Sequence, residues 1–224
     1  MGGKRRQRPS TESIHAECPF TVKYLHNETD TKQERSGTKR ALANTVDRKG
    51  FALRAQVQTF EFPLSSSDVH FVIQPNLEWS QMTRYASFIQ NGIRYAIGDF
   101  IKVANEQSVK LQRTHRTQRP QRHLHWIARV LEVRAKDPAH VYVRVAWMYW
   151  PHDLPSVGGH DYAPAEVVMS NHMDVINAMS VTDPAIVKRW DSPDDDKVGD
   201  DVFRYRQTFD CRSRLISPIN KQRK

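Results

Sequence analysis

Two alternating segments constrain this chain more than any other feature: His125 to Leu131 (HWIARVL) and Val141 to Pro151 (VYVRVAWMYWP). Large apolar side chains at every second position fit a strand, which sends successive residues to opposite faces, and do not fit a helix. The six residues between them, AKDPAH at 135–140, suit a hairpin loop. With Arg134 taken opposite Val141, antiparallel pairing sets Trp126 opposite Tyr149 and Ala128 opposite Trp147. Period two then places Trp126, Trp147 and Tyr149 on one face, with Ala128 leaving a gap between their rings. Three rings around a gap form either an aromatic mini-core or an open box for a cation such as a methylated lysine. The residues alone leave both readings open.

The flanking sequence surrounds this hairpin with further short strands. Gln56 to Leu64 and Val69 to Ile73 read as strands separated by Ser65 to Asp68, and Ile93 to Val103 as a strand pair bending at Gly98-Asp99. Apolar residues at 79, 82, 85, 88 and 89 predict a helix over Trp79 to Ile89. Glu166 to Ile176 reads as a strand, Thr182 to Trp190 as a short helix opening on Pro184, and Val202 to Asp210 as the closing strand. Residues 1–50 carry too few hydrophobic groups to offset the entropy of ordering, so a disordered basic tail is expected there, with PFTVKYL at 19–25 as the exception. Residues 51–90 then lead into the core, 91–212 form the main domain and 213–224 a basic C-terminal tail.

The net charge of +9 favours work beside an acidic partner, nucleic acid or chromatin first. From Gln107 to His123 there is no acidic residue, and Lys110, Arg113, Arg116, Arg119 and Arg122 recur along what reads as a long loop. That loop is either a solvated insertion or a contact for DNA phosphate. Asp191 to Asp201, with six aspartates, reads as an acidic loop in which Asp194 to Asp196 either attract a basic tail or stay solvated. Two cysteines, Cys18 and Cys211, exclude a disulfide framework or a cysteine-based zinc site. The chain carries no glycine-rich phosphate loop, nucleophile elbow or HExxH motif, so neither an enzyme nor a bound cofactor is expected. His152-Asp153 with His160-Asp161 reads as a polar loop, and no metal site is expected there. No apolar run approaches the roughly 20 residues of a membrane span, and no membrane partner is expected. Lys4-Arg5-Arg6 with Arg8, and Lys221 to Lys224, resemble basic import signals, which points to the nucleus.

Four blocks in order add to this reading. They are Tyr95-x-x-Gly98-Asp99-x-Ile101-x-Val103, Trp126 to Glu132, Val143-x-Val145-x-Trp147-x-Tyr149-x-Pro151, and Glu166 to Asp174. Together they resemble the bromo-adjacent homology (BAH) domain, with the stretches Tyr149 to Pro155 and Ser170 to Asp174 similar to fungal BAH readers of the Polycomb mark. The resemblance implies a mainly β fold, a twisted, partly open β-barrel of BAH type with a few short helices and disordered basic tails. It implies a non-enzymatic chromatin module that binds a methylated lysine on a histone H3 tail, the Polycomb trimethyl mark first, and supports gene silencing. Possible partners are then the H3 tail and nucleosome, silencing-complex proteins, and DNA through the basic loop. A DNA-binding or protein-scaffold module without methyl-lysine recognition stays as the alternative. In the mark-reading members the cage positions match Trp126, Trp147 and Tyr149, where Trp126 replaces a usual tyrosine. Trp150, Asp153, His172 and Asp174 match positions along the peptide groove, with a buried turn-stabilising pair as the other reading of His172 and Asp174. Related fungal proteins continue into a PHD finger, whose cysteines are absent through Lys224. A shorter paralogue, a truncated form, or a reader working without that module are all expected alternatives.

Overall fold

The computed structural model describes residues 17–25, 55–62, 65–105, 108, 125–154, 162–190 and 201–218. Strands follow one another almost without interruption. The first are β1 (Thr21–Tyr24), β2 (Gln56–Phe62) and β3 (Ser65–Gln74), followed by the one described α-helix, α1 (Asn76–Gln81). Next come β4 (Thr83–Tyr85), β5 (Ser87–Gln90), β6 (Ile93–Ala96), β7 (Phe100–Val103), β8 (Trp126–Asp137) and β9 (His140–Tyr149). The chain continues with β10 (Val168–Asn177), β11 (Val181–Pro184), β12 (Ile186–Arg189), β13 (Val202–Tyr205), β14 (Gln207–Asp210) and β15 (Leu215–Pro218).

The main sheet runs β11-β7-β8-β9-β10-β14-β15, with β4 also on β8, and its two ends do not meet. A second sheet, β1-β3-β2, packs against it, and β5-β6 and β12-β13 form two-stranded ribbons. The fold is therefore mainly β and partly open. Ile101, Ala128, Val130, Val143 and Val145, all essentially inaccessible, fill the space enclosed by the curved main sheet. A second cluster lies between the two sheets, where Phe20 meets Trp79 and Tyr142 edge-on with centroids 5.2 and 5.0 Å apart. The PFTVKYL island thus belongs to the core, because its aromatic residue closes the gap between sheets.

The long β8–β9 hairpin is present, but its end differs from the sequence expectation. Asp137 Oδ1 accepts the N–H groups of Ala139 (2.9 Å) and His140 (3.0 Å), closing a two-residue turn where six loop residues were expected. Arg134 lies opposite Tyr142, one place from the expected Val141. A bulge between Val130 and Glu132 takes up that residue and restores Ala128 opposite Trp147.

Both expected longer helices give way to strands. The first helix stops at Gln81, and Thr83–Tyr85 pairs with β8 instead. Ile89, apolar in the helical pattern, stands 72% exposed on a hairpin that turns through Asn91 (φ 52) and Gly92 (φ 76). Thr182 to Trp190 forms β11 along the edge of β7 and then β12 beside β13, so an open sheet edge overrides the local helix signals. The closing strand breaks at Arg206 into β13 and β14, which join different sheets. Ser65 to Asp68, read as a loop, extends β3, and Leu215–Pro218, read as tail, pairs with β14.

Glu132 is the main buried charge of the hairpin, 2% exposed. Its carboxylate accepts from Arg134 Nε at 2.7 Å and Arg144 Nε at 3.1 Å, and Arg84 Nε lies 3.3 Å away. Burial pushes this carboxyl up, but the Arg134 hydrogen bond and the charges of Arg144, Arg134 and Arg84 outweigh that and hold it below its ordinary 4.5. A lowered folded-state value means that its stabilisation is present above about pH 4.5 and is lost as pH falls through the folded value. Glu132→Gln leaves Arg144 buried without a counter-charge and is expected to cost about 3–5 kcal/mol at neutral pH. Denaturant titrations across the acid range test this: the gap between native chain and variant should narrow below pH 4.5, and a constant gap contradicts it.

Candidate functional site

The site is built where β8 begins, β9 ends and β10 bulges. From Met169 to Met173, β10 advances four residues while β9 advances two, from Met148 to Ala146. Ser170 and Asn171 hold this irregular stretch from the inside, each about 1% exposed. The Ser170 hydroxyl donates to the Trp147 carbonyl (2.7 Å) and accepts the His172 N–H (3.1 Å). The Asn171 side chain donates to Asp210 and accepts from the Cys211 N–H, each at 2.8 Å. With those two spent on structure, His172 and Asp174 are directed into a cleft.

That cleft, about 420 Å³, is lined by Trp126, Trp147, Met148, Tyr149, Trp150, Asp153, His172 and Asp174. It brings together all three expected ring positions and all four expected groove positions. Trp126 and Trp147 form two near-perpendicular walls, centroids 5.6 Å apart at 76°, and Trp126 is 43% exposed. Trp147 is half-buried against the barrel core. Tyr149 forms another wall, braced edge-on by Phe209 at 5.5 Å and stacked with His172 at 5.9 Å. Trp150, by contrast, is 2% exposed; its ring packs against Phe203, so it closes the floor as core. The expected gap beside Ala128 is filled, since Ala128 is inaccessible among Ile101, Val130 and their neighbours. The open space lies one step toward β10 instead.

Two larger cavities adjoin the cleft. One, about 1050 Å³, shares Trp126, Trp147 and Asp174 with it and continues between residues 17–21 and the end of β10. The other, about 1070 Å³, shares Tyr149, Asp153 and His172 and reaches Lys23, Tyr24, Arg212 and Arg214. The three form one chain of cavities with the aromatic cleft in the middle.

Tyr24 is the site-shaping residue that the sequence did not single out. Its hydroxyl accepts the Met173 N–H at 2.5 Å and donates to the Met173 carbonyl at 3.3 Å, pinning the backbone between His172 and Asp174. The apolar PFTVKYL island was the available signal, but nothing in it said which strand it would reach. Lys110, Arg113, Arg116, Arg119 and Arg122 lie outside the described residues, as do Asp194 to Asp196, His160 and Asp161. Among the described residues no group of three His, Cys, Asp or Glu side chains is placed to hold a metal, and no helix is long and apolar enough to cross a membrane.

Burial shifts three groups of the cleft, His172, Tyr149 and Asp174, toward their neutral forms. Burial lowers the His172 imidazole below its ordinary 6.5, opposed by the nearby Asp174 charge. Burial raises Tyr149, whose hydroxyl lies 2.6 Å from His172 Nδ1, and raises Asp174 above 3.8. At neutral pH the cleft therefore presents ring faces and a neutral imidazole beside the carboxyl groups of Asp153 and Asp174.

Comparison with solved structures finds similar chains, among them the following. A crystal structure of the yeast Rsc2 BAH domain superposes on 62% of this chain and 55% of its own, at 14% identity and a TM-score of 0.46. No family model matches the chain, and the search of curated proteins found no match.

An NMR titration of the His172 ring checks the electrostatics of the cleft. Its midpoint should fall below 6.5, and Asp174→Asn should lower it further by removing the charge that favours the imidazolium. A midpoint at or above 6.5 contradicts the burial described here.

Proposed function

We propose that this protein is a BAH-type chromatin module that reads methylated lysine on a histone H3 tail, within repressive chromatin of the Polycomb kind. The observation that carries this reading is the cleft in which Trp126, Trp147 and Tyr149 face a common space beside His172 and Asp174. A methylated ammonium sheds water cheaply, and each ring face contributes about 0.5–2 kcal/mol to holding it once desolvated. The adjoining cavities supply room for an extended chain on both sides of the lysine. The four sequence blocks that resemble BAH domains support the chromatin setting, and the net charge of +9 suits a protein working against nucleosomal DNA. Binding of this kind requires no chemistry from the protein, consistent with a non-enzymatic role in the nucleus.

Fluorescence or calorimetric titration with H3 tail peptides carrying zero to three methyl groups on one lysine tests the proposal. Methylated forms should bind and the unmodified form should bind at least about tenfold more weakly, a difference of about 1.4 kcal/mol. Equal affinity for all four overturns it.

Alanine variants separate cage from core. Trp126→Ala, at a 43% exposed ring, should weaken methyl-peptide binding about tenfold or more while the thermal midpoint moves little. Trp147→Ala should abolish most binding with a larger loss of stability, since Trp147 also packs on the barrel core. Full binding by Trp126→Ala contradicts the cage.

A further inference from the structure

The cleft holds two carboxyl groups that an aromatic box does not require: Asp153, 46% exposed with His152 Nε2 3.6 Å away, and the half-buried Asp174. The Asp174 side chain lines both the cleft and the cavity beside residues 17–21, a position it shares with Trp126 and Trp147. Oδ1 accepts the Val175 N–H at 2.8 Å. Among the described residues Oδ2 takes no hydrogen bond, and no lysine or arginine offsets the charge. Burial raises this carboxyl above its ordinary 3.8, with the Val175 N–H and His172 opposing only in part. A half-buried carboxylate without a cation loses hydration and recovers little, so a cationic group that also brings an N–H restores both terms.

We infer that Asp174 sets the methylation state selected by the cleft, favouring dimethyl-lysine over the trimethyl-lysine that the resemblance to Polycomb-mark readers implies. The inference rests on the methyl-lysine reading above. Dimethylammonium keeps one N–H and donates it to Oδ2, whereas trimethylammonium has none to donate. Both carry the same charge, so ion pairing alone does not separate them; the hydrogen bond does. Unmodified lysine has three N–H groups but is strongly hydrated, and ring faces replace that water poorly. The shared position with two indoles matters, because it puts Asp174 in the same cleft as the rings that would hold the methyl groups.

The test uses the full chain and four H3 tail peptides differing only in the methyl count on one lysine. The dimethyl peptide should bind about tenfold more tightly than the trimethyl peptide, the difference expected of one charge-assisted hydrogen bond. Asp174→Asn keeps an acceptor for Val175 and turns an amide N–H₂ toward the ammonium. It should weaken dimethyl binding about tenfold and trimethyl binding less, bringing the ratio near one. Trimethyl binding equal to or tighter than dimethyl in the native chain overturns the inference and leaves the methyl-lysine reading standing. A ratio unchanged in a folded Asp174→Asn chain also overturns it. No discrimination among the four peptides, or no binding at all, overturns that reading and the inference with it. The native-chain ratio decides even if the variant does not fold.

Discussion

The Glu132 carboxylate is the interaction on which the rest of this structure turns. It sits just past the β8 bulge, and that bulge brings it opposite Arg144 on β9. Arg144 continues to the Gln58 side chain on β2 and lies over the Phe71 ring on β3, 4.8 Å from its centroid. Arg134 continues to the carbonyls of Trp79 and Met82 and stacks on the Trp79 ring at 5.1 Å. One buried acid thus connects the main sheet, the second sheet and the helix that bridges them. A buried ion pair contributes little net stability over a well-packed apolar group. Here its consequence is geometric: it fixes which residues of β8 and β9 lie opposite each other.

Across the bulge the register changes by one residue, and the register on that far side places the cleft. With Ala128 opposite Trp147, Trp126 comes within 5.6 Å of Trp147 at the end of the barrel. The β10 irregularity, held by Ser170 and Asn171, then directs His172 and Asp174 into the same space. Tyr24 joins from the second sheet and locks the backbone between them. Site and fold are therefore coupled through backbone geometry.

How much of this is legible in the sequence follows from the range of each signal. Period-two alternation in β8 and β9 reports which side chains share a face, so the residues alone group Trp126, Trp147 and Tyr149. It carries no information on bulges, so the expected pairing slips by one beyond Leu131. The spacing of Trp79, Met82, Tyr85 and Phe88 imitates a helix, yet an unpaired edge of β8 draws Thr83–Tyr85 into the sheet. Thr182 and Pro184 are local helix signals, defeated by a hydrogen-bonding requirement along β7 that lies about 80 residues away. His172 and Asp174 enter the reading through family resemblance alone. Their orientation depends on Ser170, Asn171 and Tyr24, contacts between segments distant in sequence. Trp150, next to the cleft walls in sequence, is buried against Phe203 and forms the cleft floor as part of the core.

The five tryptophans offer the most direct test of the central claim, that a methylated ammonium binds between the indoles at the barrel mouth. Each has one indole N–H resonance, and Trp79, in the inter-sheet core, serves as an internal reference. Titrating the protein with methyl-lysine peptide should shift the Trp126 and Trp147 signals saturably and together, leaving Trp79 in place. Saturable binding that leaves Trp126 and Trp147 unmoved would place the ligand elsewhere and contradict the account.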